Sequence, residues 1–265
     1  MMRGLVNRRA IVLGAIVIWI AGFCAGWAAG DLTALVPKGE LRVAVVMSNA
    51  ALIKRDVNGQ LEGVAVDIAN ALAATLGVPS RVVPYENVTR YNMSLGKDEW
   101  DISIGPRDLS RTSQVGFSDV FMEADNSYVA KSGVSLRSAQ DVDRPGIKVA
   151  VAQGSALDGY LTRAIKSAEI VRVPAGTAAA REALTFGRAD VYAESTALAY
   201  RIAAEVPGAS VLVGTLNTVQ LTIGLPKANI EALPALNDFL ASAKRDGTVA
   251  DAIKRAGLRG VRPSH

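Results

Sequence analysis

The sequence predicts an α/β protein built as two lobes of similar plan. Short β-branched runs alternate with segments of helical periodicity, the order expected of a mostly parallel sheet. The order also repeats: RVAVV at 42–46 answers KVAVA at 148–152, and LGKDEWDISI at 95–104 answers LTFGRADVYA at 184–193. With 265 residues, half of them hydrophobic, the chain has material for two cores.

In the first half, LRVAVV (41–46) reads as a buried strand, and GVAVDIANALAATLG (63–77) carries apolar residues at helical spacing up to a glycine stop. RVVPY (81–85) is a second strand, NVTRYNMSLGKDEW (87–100) a helix and turn, and DISI (101–104) a third strand. The second half gives strand then helix over 148–168, strand IVRV (170–173), helix TAAAREALTFG (177–187) and strand ADVYAE (189–194). SYVAK (127–131) and VQLTIGLPK (219–227) flank that half and read as crossover strands, which makes the second lobe an insertion in the first and the strand pair a hinge. Lobe 1 is then 38–130 with 225–265, and lobe 2 is 131–224. The segment 229–257 reads as one long helical region with Pro234 in its first turn.

The N-terminus is expected to stand apart from this fold. Arg3, Arg8 and Arg9 precede an uncharged run from Ala10 to Gly30 that ends in small residues, the layout of a secretory signal over 1–29 cut near Ala28. Uncut, the same run is long enough to anchor the chain in a membrane. A twin-arginine signal at Arg8-Arg9 and a lipoprotein box at Cys24 are weaker readings, the second spoiled by Phe23. Either way the chain from Asp31 onward is exported to the periplasm.

Losing the signal takes the formal net charge from +4 to +1, so a basic pI of 9.3 does not imply a nucleic-acid partner. Cys24 is the only cysteine and lies in the signal, and the only histidine is the terminal His265. That inventory excludes thiol nucleophiles, disulfides and Ser-His catalysis, and argues against a zinc site or another cofactor.

Ligands of open α/β sheets bind beyond the carboxyl ends of strands, so two lobes facing each other would place their strand-end loops around one cleft. In GPRDLSRTSQVGFSD (105–119), Gly105 closes the strand and Arg111 follows on a short polar loop. Its rigid guanidinium fork matches a carboxylate, or else it is a solvated charge; Asp108, three residues before, can orient it or neutralise it. Gly154 and Ser155 lie between strand and helix, where Ser155 and Asp158 form a capping pattern and the helix N-terminus is also an anion site. Glu194 ends the strand ADVYAE, either as an acceptor for an ammonium group or as a cap for the next helix. Asp67 lies inside a helix and reads as structural.

The order LRVAV, GQLEGVAVDIANALAATLGV, WDISIG with SRTSQVGFSD, GIKVAVAQGSA, ALTFGRADVYAE and KRDGTVADAIKRAG resembles the family 3 extracellular solute-binding proteins over nearly all of the exported chain. The resemblance implies a type II periplasmic-binding-protein fold, with two lobes, two hinge strands and a central cleft. It implies a monomer that captures a small amino acid or related carboxylate and delivers it to an ABC transporter permease. Arg111 falls on the family arginine six positions before Phe117 that clamps the α-carboxylate, Gly154 and Ser155 on the turn that completes that site, and Glu194 on the acid that receives the α-amino group. The chain departs from the pattern at Asp108, where the family has threonine, at Val120-Phe121 in place of Pro-Tyr, and at SNAALIKR, where Leu52 stands for an aromatic platform. Two other functions fit the same scaffold: a periplasmic lyase of the cyclohexadienyl dehydratase type, with Glu194 or Asp108 as general acid, and a sensory binding protein that docks to a receptor.

Overall fold

A computed structural model describes residues 32–49 and 51–265. The expected signal segment and Cys24 lie outside them. Among the described residues no helix is long and apolar enough to cross a membrane.

The first half runs through β1 (Leu41–Val46), a small hairpin of β2 (Lys54–Arg55) and β3 (Leu61–Glu62), α1 (Val64–Leu76), β4 (Ser80–Tyr85), α2 (Val88–Ser94), β5 (Ile102–Pro106) and β6 (Val115–Phe117). A long strand, β7 (Met122–Ala130), carries the chain into the second half. There it forms β8 (Lys148–Ala152), α3 (Ala156–Ala164), β9 (Glu169–Val173), α4 (Thr177–Thr185), β10 (Val191–Ser195), α5 (Thr196–Glu205) and β11 (Ser210–Val211). A second long strand, β12 (Asn217–Pro226), returns to the first half, and α6 (Leu233–Arg245), α7 (Thr248–Ala256) and β13 (Val261–Pro263) complete the fold. The region 229–257 expected as one helical stretch is therefore two helices. Asp246 and Gly247 separate them, and Gly247, at φ 91, takes a left-handed conformation that ends the first and starts the second.

The main sheet has the order β4-β1-β5-β12-β7-β10-β8-β9, with β1 parallel to β4 and β5, and β8 parallel to β9 and β10. The inner strands β1, β5, β8 and β10 are buried on both faces over most of their length, which is why they read as apolar runs instead of alternating patterns. In the first half Val43, Val45, Ile68, Leu72, Leu236 and Ile253 fill one side, and Ala44, Tyr91, Trp100 and Val115 the other. The second half likewise has one cluster around Ala150, Leu184, Tyr192 and Ile202 and another around Tyr128, Val149, Leu161 and Val191.

Strand register brings the two halves' loops together. The carboxyl end of β5 reaches Leu221 of β12, through the pair Leu221 with Pro106. The carboxyl end of β10 reaches Asn126 of β7, through the pair Asn126 with Ser195. Between those levels β7 and β12 pair only with each other in the main path, from Met122 with Leu221 to Asn126 with Asn217. Four residues of extended chain separate Asn217 from Leu221, about 13 Å. The loops after β5 and β10 thus approach one another from opposite directions across the crossover ladder.

Candidate functional site

On the first-half side, β5 ends at Gly105 and Pro106, with Gly105 paired to Thr222 of β12. The chain then turns at Asp108, whose carboxylate accepts hydrogen bonds from the Ser110 backbone N–H (2.9 Å) and the Ser110 hydroxyl (2.6 Å). This caps a single 3-10 turn, Leu109–Arg111, and fixes Arg111 one turn above the cap. The Arg111 Nη2 lies 3.1 Å from Asp108 Oδ2. Burial works to raise the Asp108 pKa, but the Ser110 hydrogen bonds and the Arg111 charge outweigh it and hold the carboxyl below its ordinary value.

The Arg111 side chain is 15% exposed, so it is largely sheltered without being sealed. Its guanidinium carbon lies 5.0 Å from the centre of the Tyr91 ring, a distance at which the ring face attracts the cation. Its Nε is buried and has no hydrogen-bond partner among the described residues, and the same is true of Thr222 Oγ1, on the strand facing Gly105. Buried polar atoms without partners are uncommon in folded proteins. Burial pushes the Tyr91 phenol up, against the downward pull of its Ser103 hydrogen bond and of Arg111.

On the second-half side, β8 ends at the turn holding Gly154 and Ser155. The Ser155 hydroxyl accepts from the Asp158 N–H (3.1 Å), as the capping pattern predicts. Asp158 does not complete the box at Ser155: its Oδ2 accepts from the Gly154 N–H (2.9 Å), while Arg172 Nε donates to both of its oxygens. The Gly154 bond is the chief reason the Asp158 pKa is lowered. The Ser155 N–H donates to Ala152 O. The turn's own donors are therefore used, and helix geometry leaves those of Ala156 and Leu157 over.

Glu194 lies at the carboxyl end of β10, beside β8, and its Oε1 accepts from the Ser195 N–H at 2.8 Å. Ser195, not Glu194, occupies the N-cap position of α5. Burial raises the Glu194 pKa, and its bonds from Ser195 only partly oppose this. Among the described residues no lysine or arginine is ion-paired with it. An acid so placed is completed electrostatically by a cation.

The structure thus groups Gly105, Asp108 and Arg111 on one side and Gly154, Ser155 and Glu194 on the other, and among the described residues no hydrogen bond or ion pair joins the two groups. One expectation changes. Leu52 is not a platform open to a ligand, because it is 1% exposed and packed in the first core. Asp67 is structural, paired with Arg255 of α7 at 3.0 Å. The residues missed in the sequence are Tyr91 and Trp100, whose stacked rings lie behind Arg111; two aromatics nine positions apart around a helix and turn were the available signal.

A family model described as bacterial extracellular solute-binding proteins, family 3, matches residues 41–257. The chain is 27% identical over 195 residues to the glutamine-binding protein of Geobacillus stearothermophilus, which covers 72% of this chain and 74% of that one. Among solved structures, an ancestral arginine-binding protein bound to arginine superposes with a TM-score of 0.64 at 28% identity, over 82% of this chain and 98% of the other. The ancestral amino acid-binding protein AncCDT-1, a precursor of cyclohexadienyl dehydratase, superposes with a TM-score of 0.66 at 27% identity, over 83% and 96%.

Proposed function

Because this chain belongs to the bacterial extracellular solute-binding proteins, family 3, we propose that it is exported, captures an amino acid between its two halves as a monomer, and delivers it to the permease of an ABC transporter. The observation that carries the reading is Arg111: a sheltered guanidinium at a strand's carboxyl end, one of its nitrogens left without a partner. It receives the ligand's α-carboxylate, with the N-terminus of α3 behind Gly154 and Ser155 as the second donor group. Glu194, a partly buried acid with no basic partner among the described residues, receives the α-ammonium group. The two groups approach along opposite strand directions, so ligand capture and closure of the halves are one event.

The ligand stabilises the closed form by mass action, about 2.7 kcal/mol at a hundredfold excess over Kd. A thermal-shift and calorimetry panel of neutral, cationic and acidic amino acids, opines and simple carboxylates tests this. Arg111→Ala is expected to weaken the best ligand by at least about thirtyfold, the cost of removing one partner of a charge-assisted pair. Equal binding by Arg111→Ala and wild type would reject the assignment.

One observation favours a second reading. Glu194 has its pKa raised by burial, the property a general acid needs, and the chain is similar to AncCDT-1, a precursor of cyclohexadienyl dehydratase. Loss of prephenate absorbance on incubation with the protein, absent with Glu194→Gln, would support a lyase. No turnover supports the binding protein.

A further inference from the structure

Arg111 is backed by a stack of side chains that are each fixed by more than packing. Tyr91, on α2, is 4% exposed, and its hydroxyl donates to Ser103 Oγ at 3.0 Å, on β5. Its ring stacks on that of Trp100, with centres 5.6 Å apart and planes 28° from parallel. Trp100 is also 4% exposed, and its Nε1 donates to Ser94 Oγ at 2.9 Å. The Ser94 hydroxyl in turn donates to the Tyr91 carbonyl at 2.7 Å, so the two rings are tied to each other through one serine. Tyr85 meets Tyr91 edge-on at 5.9 Å and closes the cluster. The guanidinium of Arg111 lies over the Tyr91 ring, 5.0 Å from its centre.

From this arrangement we infer that Tyr91, clamped by Trp100 and Ser103, is the positioning residue that sets the direction of the Arg111 guanidinium toward the ligand. The inference rests on the reading of Arg111 as a ligand group. An arginine side chain has several rotatable bonds, and ordering it on binding costs affinity. A rigid π face that holds the cation flat before the ligand arrives removes part of that cost. The Asp108 contact alone leaves the plane of the guanidinium free, because it engages a single nitrogen.

The test compares Tyr91→Phe with Tyr91→Leu in the full-length protein, by calorimetry with the amino acid that binds wild type best. Both variants lose the bond to Ser103, and only Leu loses the ring, so their difference isolates the π face. Phe is expected to bind within about threefold of wild type, and Leu to bind a further 3- to 30-fold more weakly, the range of a cation–π contact converted to affinity. In an Arg111→Lys background the Phe-to-Leu difference should shrink. Equal affinities for the Phe and Leu variants, with matching unfolding midpoints, overturn the inference and leave Arg111 as a ligand group intact. Undiminished binding by Arg111→Ala removes the reading beneath it instead. If the Leu variant does not fold, Tyr91→Met replaces it, keeping apolar bulk without the π face; affinity equal to that of the Phe variant overturns the inference.

Discussion

Arg259 holds its guanidinium over the ring of Tyr200, 4.5 Å from the ring centre. The contact joins the segment after α7, a helix packed in the first core, to α5, a helix packed in the second. The next residue, Gly260, accepts the Asp125 N–H of β7 at its carbonyl and takes φ 70 against Thr196. A Cβ built there would lie 2.5 Å from Thr196 Cβ and 2.6 Å from its Cγ2, so Gly260→Ala adds a steric clash to an unfavourable backbone. Gly257→Ala is the control, because Gly257 has φ 64 and open space around its Cα. The control should lose about 1 kcal/mol from backbone strain, and Gly260→Ala a further 1–3 kcal/mol from crowding. Urea midpoints measure both, and equal losses would remove the Thr196 contact from the account.

The buried pair of Arg42 and Asp101 gives a second prediction. Asp101 accepts from the Arg42 N–H (2.8 Å), Nε (3.0 Å) and Nη2 (2.6 Å), with side chains only 4% and 2% exposed. It fixes the start of β5 against β1, and so the strand that ends at Gly105. Asp101→Asn removes the buried counter-charge of Arg42 and leaves it only the exposed Asp98, which should cost about 3–5 kcal/mol. Asp98→Asn removes an exposed partner of the same arginine and should barely move the unfolding midpoint.

These two contacts show what local pattern does and does not carry. The strands β1, β5, β8 and β10, helix α1 with its stop at Gly77, and the capping serine before α3 are encoded by neighbours in the chain, so they are legible there. The convergence of β5 and β10 on the crossover ladder depends on pairs such as Gly105 with Thr222, more than a hundred residues apart. The inward turn of Leu52 and the reach of Asp158 to Gly154 and Arg172 likewise follow from tertiary packing. Arg111 was visible as a charge after a strand, but its neighbour Tyr91 sits on a seven-residue helix too short to show a periodic pattern.

The raised pKa of Glu194 gives a pH prediction whose sign is fixed. An acid with a folded pKa above its unfolded value favours the fold most when protonated, so its contribution is complete below the unfolded pKa and is lost as pH rises through the folded one. On the role proposed for Glu194, ligand affinity runs the other way, because the ligand's ammonium group needs the carboxylate. Wild-type affinity should therefore rise with pH across the window between the ordinary carboxylate value and the raised one. Asp108 and Asp158 have lowered pKa values and titrate below that window. Calorimetry across it should show the slope in wild type and a weaker, flat profile in Glu194→Gln; a slope kept by the Gln variant would assign the proton elsewhere.

On the role proposed for Arg111, the Asp108 charge 3.1 Å away opposes its attraction for a carboxylate, and replacing Asp108 tests the ligand's charge. With Arg111, Asp108 and Glu194 ionised, the three side chains sum to one negative charge, which a ligand of net positive charge neutralises and a neutral zwitterion does not. Asp108→Asn keeps an acceptor for the Ser110 N–H, so the 3-10 turn is retained, and it removes the charge 3.1 Å from Arg111. A unit charge at that range in a partly solvated site changes binding by about 1–2 kcal/mol, roughly 5- to 30-fold. Glutamine affinity should rise by that factor, because its carboxylate then meets an uncompensated guanidinium. Arginine and lysine should gain less or lose, because their side-chain charge loses an acid nearby. Titrating the three amino acids into both proteins measures the ratio directly. An arginine-to-glutamine preference unchanged by the substitution would mean that Asp108 serves only as the cap of its turn.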